Sequence, residues 1–167
     1  TAIRKFVFEQ DDEPLGTLYL DLHPRPGKYG HAAHFTIRCG MPDQLPIVVI
    51  VCNMSQQNVS HGELETLFHE FGHALHSILS QSQYQHMSGT RMAMDFVETP
   101  SHLMEHFCWE TSVLKLLAPD MPDELILQLQ QSRFEFAALD RQNQILYSLM
   151  DQQLFGVPTN MTPQDMF

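Results

Sequence analysis

One stretch in the middle of the chain restricts the possible fold more than any other. Ser60, followed three residues later by Glu63, has the form of a capping box, in which each side chain satisfies the other's backbone N–H. Leu64, Leu67, Phe68, Phe71, Leu75, Ile78 and Leu79 then recur at helical spacing to about Ser80. At about 100° per residue these side chains gather on one face, and His69, His73 and His76 gather on the opposite face. Such a helix must bury its apolar face in a core while holding imidazoles toward a cleft. His69-Glu70-Phe71-Gly72-His73 also has the form H-E-x-x-H. Two histidines four apart lie one turn apart on the same face. Both rings can therefore reach one tetrahedral ion at about 2.0–2.1 Å. Glu70 falls between the two faces, beside His73, where it can act on a water near the metal rather than on the metal. His76 shares the metal face, and a role lining the cleft or supporting the ligands suits it better than ligation. Gly72 costs roughly 1 kcal/mol of helix propensity relative to Ala, which a close approach by another segment would explain. Two surface histidines on an amphipathic helix would produce the same motif. The capping box, the clean separation of faces and the acidic stretch downstream favour the metal site.

The rest of the chain divides into strands and then helices. Lys5 to Glu9, Thr17 to Leu22, Ala33 to Cys39 and Leu45 to Cys52 have strand character, with an acidic turn at Asp11-Asp12-Glu13-Pro14. After the histidine helix, a polar loop with Ser88-Gly89-Thr90 leads to a helix over about Asp95 to Leu117, perturbed near Thr99-Pro100 and ended by Pro119 and Pro122. Two further helices cover about Asp123 to Leu139 and Gln142 to Phe155. This order predicts an α+β fold, with a small N-terminal sheet over about residues 1–55 and helices over about 60–167. Thr162-Pro163 has the form of an N-cap with Pro at the first helical position, so the chain reads as a piece of a longer protein that stops one turn into a new helix. No apolar run reaches the roughly 18 residues a membrane span needs. The net charge of −11 argues against nucleic acid as a partner; it suits a basic peptide, although it serves solubility equally well. Cys39, Cys52 and Cys108 are odd in number and widely spaced, as free thiols in a reducing compartment would be.

Catalytic zinc usually has three protein ligands and one open position. Asp95, Glu98, His102 and Glu105 follow at spacings of three, four and three, so they would share one face of a helix. Spacing alone does not choose between Glu98 and His102 as the third ligand, and such a row can also be a solvated face.

Phe68-His69-Glu70-Phe71-Gly72-His73-Ala74-Leu75-His76, then Ser88-Gly89-Thr90, then Asp95-Phe96-Val97-Glu98-Thr99-Pro100-Ser101 resemble the catalytic core of the thimet oligopeptidase family of zinc peptidases. The resemblance covers about Leu15 to Leu117 and is weaker beyond. It implies a zincin-like catalytic core within a larger, mostly helical enzyme, of which residues 1–167 are part of the catalytic domain. It implies one Zn²⁺ held by His69, His73 and Glu98, with Glu70 as general base. Asp95 and Glu105 fall on the family's acidic positions, where they would accept N–H bonds from the ligating imidazoles. His34-Phe35-Thr36-Ile37-Arg38, Gln44-Leu45-Pro46-Ile47-Val48 and Leu103-Met104-Glu105-His106-Phe107 are similar to the mitochondrial branch, which trims short N-terminal peptides from imported precursors in the matrix. Gly27-Lys28-Tyr29-Gly30-His31-Ala32-Ala33 is more similar to the cytosolic oligopeptidases. Gly30, His31, Ala32 and Gly89 are candidates for contact with a peptide that adds to a sheet edge. His76, His86, His106 and Tyr84 are conceivable donors to a developing oxyanion. The family's Tyr- and Gly-rich donor segment has no match here. The competing readings are a module that holds zinc without catalysis and a helical interaction domain without metal.

Overall fold

The computed structural model describes residues 3–135 and 137–156. Strands β1 (Arg4–Gln10) and β2 (Glu13–Asp21) form a hairpin. Its two turn residues, Asp11 and Asp12, both have positive φ, 52° and 64°. That backbone matches the right-handed twist of the flanking strands, and Asp is among the residues that tolerate it. Strands β3 (Ala33–Arg38) and β4 (Ile47–Val51) complete a four-stranded sheet of order β1-β2-β4-β3. The β2–β4 pair is parallel and the outer pairs are antiparallel. The apolar run Ile47-Val48-Val49-Ile50-Val51 therefore lies inside the sheet, and β3 forms one edge.

Helix α1 (His61–Ile78) starts at the Ser60–Glu63 capping box and packs its apolar face on the sheet. Leu18, Val48 and Ile50 from the strands meet Ala74 and Ile78 from the helix, with Cys52, Met54, Leu67 and Phe71 around them. Each aliphatic side chain buried this way contributes about 1.5–3 kcal/mol, so the sheet fixes the rotation of α1 about its own axis. The imidazoles then lie off the apolar face of α1, with His73 beside His34 on the edge strand β3.

The long second helix expected from the sequence is divided. Met94–Glu98 is a turn, α2 covers Thr99–Phe107 and α3 covers Thr111–Leu117. Pro100 is the cause of the first division: it has no N–H to give, so it belongs in a helix's first turn rather than its interior. Glu98 becomes the residue from which α2 departs, and Asp95 lies outside the helix. The segment closes onto α1 in an antiparallel sense. Near the start of α1, His61 Nε2 donates to the Cys108 carbonyl (3.1 Å), and Trp109 Nε1 donates to Glu65 Oε1 (3.0 Å). At the other end Gly72 meets the backbone of Pro100 and Ser101: a Cβ on Gly72 would lie 2.5 Å from the Pro100 oxygen and 2.5 Å from the Ser101 Cα. This is the close approach that a glycine inside a helix had suggested. Gly72→Ala should lower the unfolding free energy by about 1–3 kcal/mol, because backbone and not a pliable side chain fills the space. Denaturant titration measures it, and an unchanged midpoint would mean the helices can separate freely.

From Ala118 onward the chain forms a second compact unit. Its described residues hold α4 (Asp123–Ser132) and α5 (Ala137–Phe155). The break between them comes earlier than the apolar spacing indicates, since no glycine or proline marks it. The Thr162-Pro163 helix start lies outside the described residues. The architecture is α+β, and no helix among the described residues is long and apolar enough to cross a membrane. Cys39, Cys52 and Cys108 are buried and none of them is in a disulfide.

Candidate metal centre

His69 and His73 project from successive turns of α1, and Glu98 reaches them from the start of α2. His69 Nε2 lies 3.2 Å and His73 Nε2 3.1 Å from the same oxygen, Glu98 Oε2. Ser101 Oγ donates to that oxygen as well, at 2.7 Å, which orients the carboxylate. This hydrogen bond, outweighing partial burial and helped by the nearby imidazoles, holds the Glu98 carboxyl below its ordinary range. Glu98 is thus anionic at neutral pH.

On the far side of His69, Nδ1 lies 2.6 Å from Glu105 Oε1, and His102 Nδ1 lies 3.0 Å from the same oxygen. Burial raises the Glu105 carboxyl, but the hydrogen bonds from the two histidines outweigh it and keep it ionised. An ionised carboxylate can only accept, so the bond to Glu105 places a proton on His69 Nδ1, and in the neutral ring the lone pair is then on Nε2. That lone pair faces an anionic oxygen, an arrangement that is repulsive until a cation lies between them. Two groups of metal-binding side chains converge in this region, His69–His73–Glu98 and His69–His102–Glu105. Ligands at about 2.0–2.1 Å around a tetrahedral ion stand about 3.3–3.4 Å apart. In the first group both imidazole nitrogens stand nearly that far from Glu98 Oε2. In the second, the 2.6 Å separation is a short hydrogen bond and leaves no room for an ion. The first group, two imidazoles and a carboxylate, fits a divalent cation, and the second orients the His69 ring through Nδ1.

The remaining residues singled out by sequence are dispersed around this cluster. Glu70 is half-buried on the side of α1 that faces the end of β4; burial, with the Glu70 charge next in size, pushes the Cys52 thiol up to about 11. Asp95 is exposed in the turn before α2, and the Nδ1 of His73 is buried without a hydrogen-bond partner. His76 lines an apolar groove of about 390 Å³ between α1 and α2, with Gly72, Leu75, Pro100 and Leu103. Gly30 and His31 are exposed and Ala32 is half-buried, all in the approach to β3. Gly89 is buried at φ +62°, where a Cβ would fall 2.8 Å from Ser77 Oγ, so its backbone conformation and its packing on α1 both require glycine. Tyr84 and His86 lie at a 3₁₀ turn (Gln85–Met87), and His106 in the last turn of α2.

The profile of peptidase family M3 matches residues 4–167, which is nearly the whole chain. The chain belongs to peptidase family M3. Among its M3 relatives, the mitochondrial intermediate peptidase of Arabidopsis thaliana is 46% identical over 93% of this chain and 24% of its own length. The mitochondrial intermediate peptidases of Pongo abelii and Coprinopsis cinerea are 37% and 34% identical, over 92% and 98% of this chain and 24% and 27% of theirs. The chain therefore spans about a quarter of the length of these M3 proteins.

Two features of this cluster were not singled out by sequence reasoning. His34, on β3, places its ring 6.2 Å from that of His73. Burial, and to a lesser extent His73 and His76, lowers its pKa to about 4, so it is neutral. Strand alternation carried the signal, since exposed Phe35 and Ile37 leave His34 and Thr36 for the helix side. Ser101 is the other. Its position three residues after Glu98, at a helix start, is where a hydroxyl reaches back to the preceding carboxylate.

Proposed function

We propose that this chain is the metal-binding part of a zinc metalloendopeptidase that removes short N-terminal peptides from precursor proteins imported into the mitochondrial matrix. The convergence of His69 Nε2 and His73 Nε2 on Glu98 Oε2 supports the metal site. The identity to mitochondrial intermediate peptidases supports the substrate and the compartment. Imidazole and carboxylate donors with an open position suit zinc.

Zinc bound there would supply Lewis-acid polarisation of the scissile carbonyl and would lower the pKa of water to about 7. Glu70 follows a ligand directly on α1 but is not one of the converging three. Its carboxylate takes a proton from the attacking water and delivers it to the leaving amine. Glu105 keeps His69 Nδ1 protonated throughout, so Nε2 stays available. Among the described residues, strand β3 is paired on one side only, by β4. A peptide that adds to its free edge is held extended beside His34 and His73, with Gly30, His31 and Ala32 at its approach. The donors that complete oxyanion stabilisation lie in the remaining three-quarters of the enzyme, so residues 1–167 alone should bind metal and turn over little or no peptide.

The full-length enzyme, incubated with imported precursors that retain a short N-terminal extension, should remove that extension. Failure to do so, together with rapid cleavage of free oligopeptides, would identify a general oligopeptidase of the same family. One bound zinc without any hydrolysis would identify a non-catalytic metal module.

A further inference from the structure

A buried lysine lies outside the metal centre. The Lys28 side chain is only 3% exposed, and its Nζ donates to the main-chain carbonyls of Asp21 (2.8 Å), His23 (2.8 Å) and Cys52. Asp21 Oδ1, at 3.0 Å, completes the cage. Arg25 holds the same Asp21 carboxylate through two bonds, of 2.6 and 2.8 Å. One ammonium thus joins the end of β2, the loop after it and the segment after β4. The backbone follows the same seam: Cys52 N–H donates to the Asp21 carbonyl and Met54 N–H to that of Leu22. His23 Nδ1 donates to the Met54 carbonyl (3.1 Å), and Asn53 Nδ2 to the Tyr29 carbonyl (2.9 Å).

Everything in this seam grips the connection that ends where β3 begins, five residues after Lys28. We propose that Lys28 is a positioning residue for the peptide substrate: its caged ammonium, with Asn53 as a second tie, sets the path of Tyr29–Ala32 and with it the free edge of β3 against the metal helix.

A purely cohesive role does not need a lysine. Burying an ammonium carries a desolvation penalty that an apolar side chain of similar length avoids, and such replacements are often neutral or stabilising. What the ammonium adds is direction. Its three donors demand oxygens at fixed places, so only one course of the loop satisfies them. The hydrophobic core holds β2, β4 and α1 without this contact, whereas among the described residues β3 has a strand partner, β4, on one side alone.

The inference rests on β3 as the strand that receives substrate. In the full-length enzyme, Lys28→Met should raise KM for a quenched peptide about tenfold or more, with kcat within about threefold and one zinc retained, the pattern of lost uniform binding. Asn53→Ala, which removes a single exposed hydrogen bond, should shift KM in the same direction by about two- to fivefold. Amide hydrogen exchange over Ala33–Thr36 should quicken in both variants. Unchanged KM in Asn53→Ala, or a fall in kcat at constant KM in Lys28→Met, would overturn the assignment. Should Lys28→Met be insoluble, Asn53→Ala decides alone. A wild-type enzyme without zinc or turnover would instead overturn the peptidase reading, and the exchange rates of Ala33–Thr36 would still report whether the tie fixes the strand.

Discussion

Glu70→Gln in the full-length enzyme should keep one zinc per chain and lower kcat by a factor of about 10²–10⁴, the usual contribution of a positioned general base. The amide has nearly the shape of the carboxylate, so the packing of α1 beside Cys52 is preserved. It has no basic oxygen able to take a proton at neutral pH. Metal retention follows because the three groups that converge are His69, His73 and Glu98, and Glu70 is not among them. Zinc content by elemental analysis and turnover of a quenched peptide together read the result. Substantial turnover in Glu70→Gln would exclude the proton-transfer role, and loss of zinc would make Glu70 a ligand.

The second large effect is expected at Glu98. Glu98→Ala removes the only anionic member of the converging group and leaves two imidazoles on one helix. Zinc affinity should fall by more than the about 10–100-fold that loss of an outer hydrogen-bond partner typically costs. His102→Ala should retain zinc, because His102 touches Glu105 and not the Nε2 side of His69. Zinc retained in Glu98→Ala and lost in His102→Ala would invert the ligand assignment. Acid should act at a different place. The hydrogen bond from Arg25, opposed by burial and reinforced by Lys28, lowers the Asp21 carboxyl from 3.8 to about 2. A carboxyl with a depressed folded-state pKa contributes stability that is complete above the unfolded value and is lost as pH falls through the folded one. The unfolding free energy should therefore drop as pH falls from about 4 to about 2, and Asp21→Asn should flatten that part of the profile.

What the sequence made legible was local. The capping box, the apolar period and the four-residue histidine spacing depend on neighbours within a few turns, and α1 lies within two residues of the limits they set. The acidic turn after β1 was readable in part: Asp11 and Asp12 form it, whereas Glu13 and Pro14, expected to belong to it, begin β2. Sheet order was not. The parallel pairing of β2 with β4 joins segments about 30 residues apart, and nothing in either strand names its partner. The break at Pro100 was visible only as a perturbation, because proline is compatible with both a kink and a helix start. For the site, spacing placed two imidazoles together but left Glu98 and His102 equal. Only the docking of α2 on α1, through the backbone contact at Gly72, sets Glu98 Oε2 opposite both rings. Lys28 gave no signal at all, since a lysine in a Pro- and Gly-rich loop reads as solvated.

The proposed zinc ligands come from α1 and from the residue that begins α2, two helices that meet backbone to backbone, and this would tie zinc occupancy to thermal stability. An ion that bridges α1 and Glu98 binds only the docked pair, so by mass action it stabilises docking by about 2.7 kcal/mol at a free concentration 100 times its dissociation constant. Coupling of this kind is reciprocal. Loss of the Gly72 contact should weaken zinc binding to the extent that it populates the undocked pair, even though Gly72 lies outside the proposed ligand set. A chelator should conversely lower the melting temperature of a protein whose core it leaves untouched. The resting zinc level of the compartment would then set how long the folded enzyme lasts, independently of how fast it works.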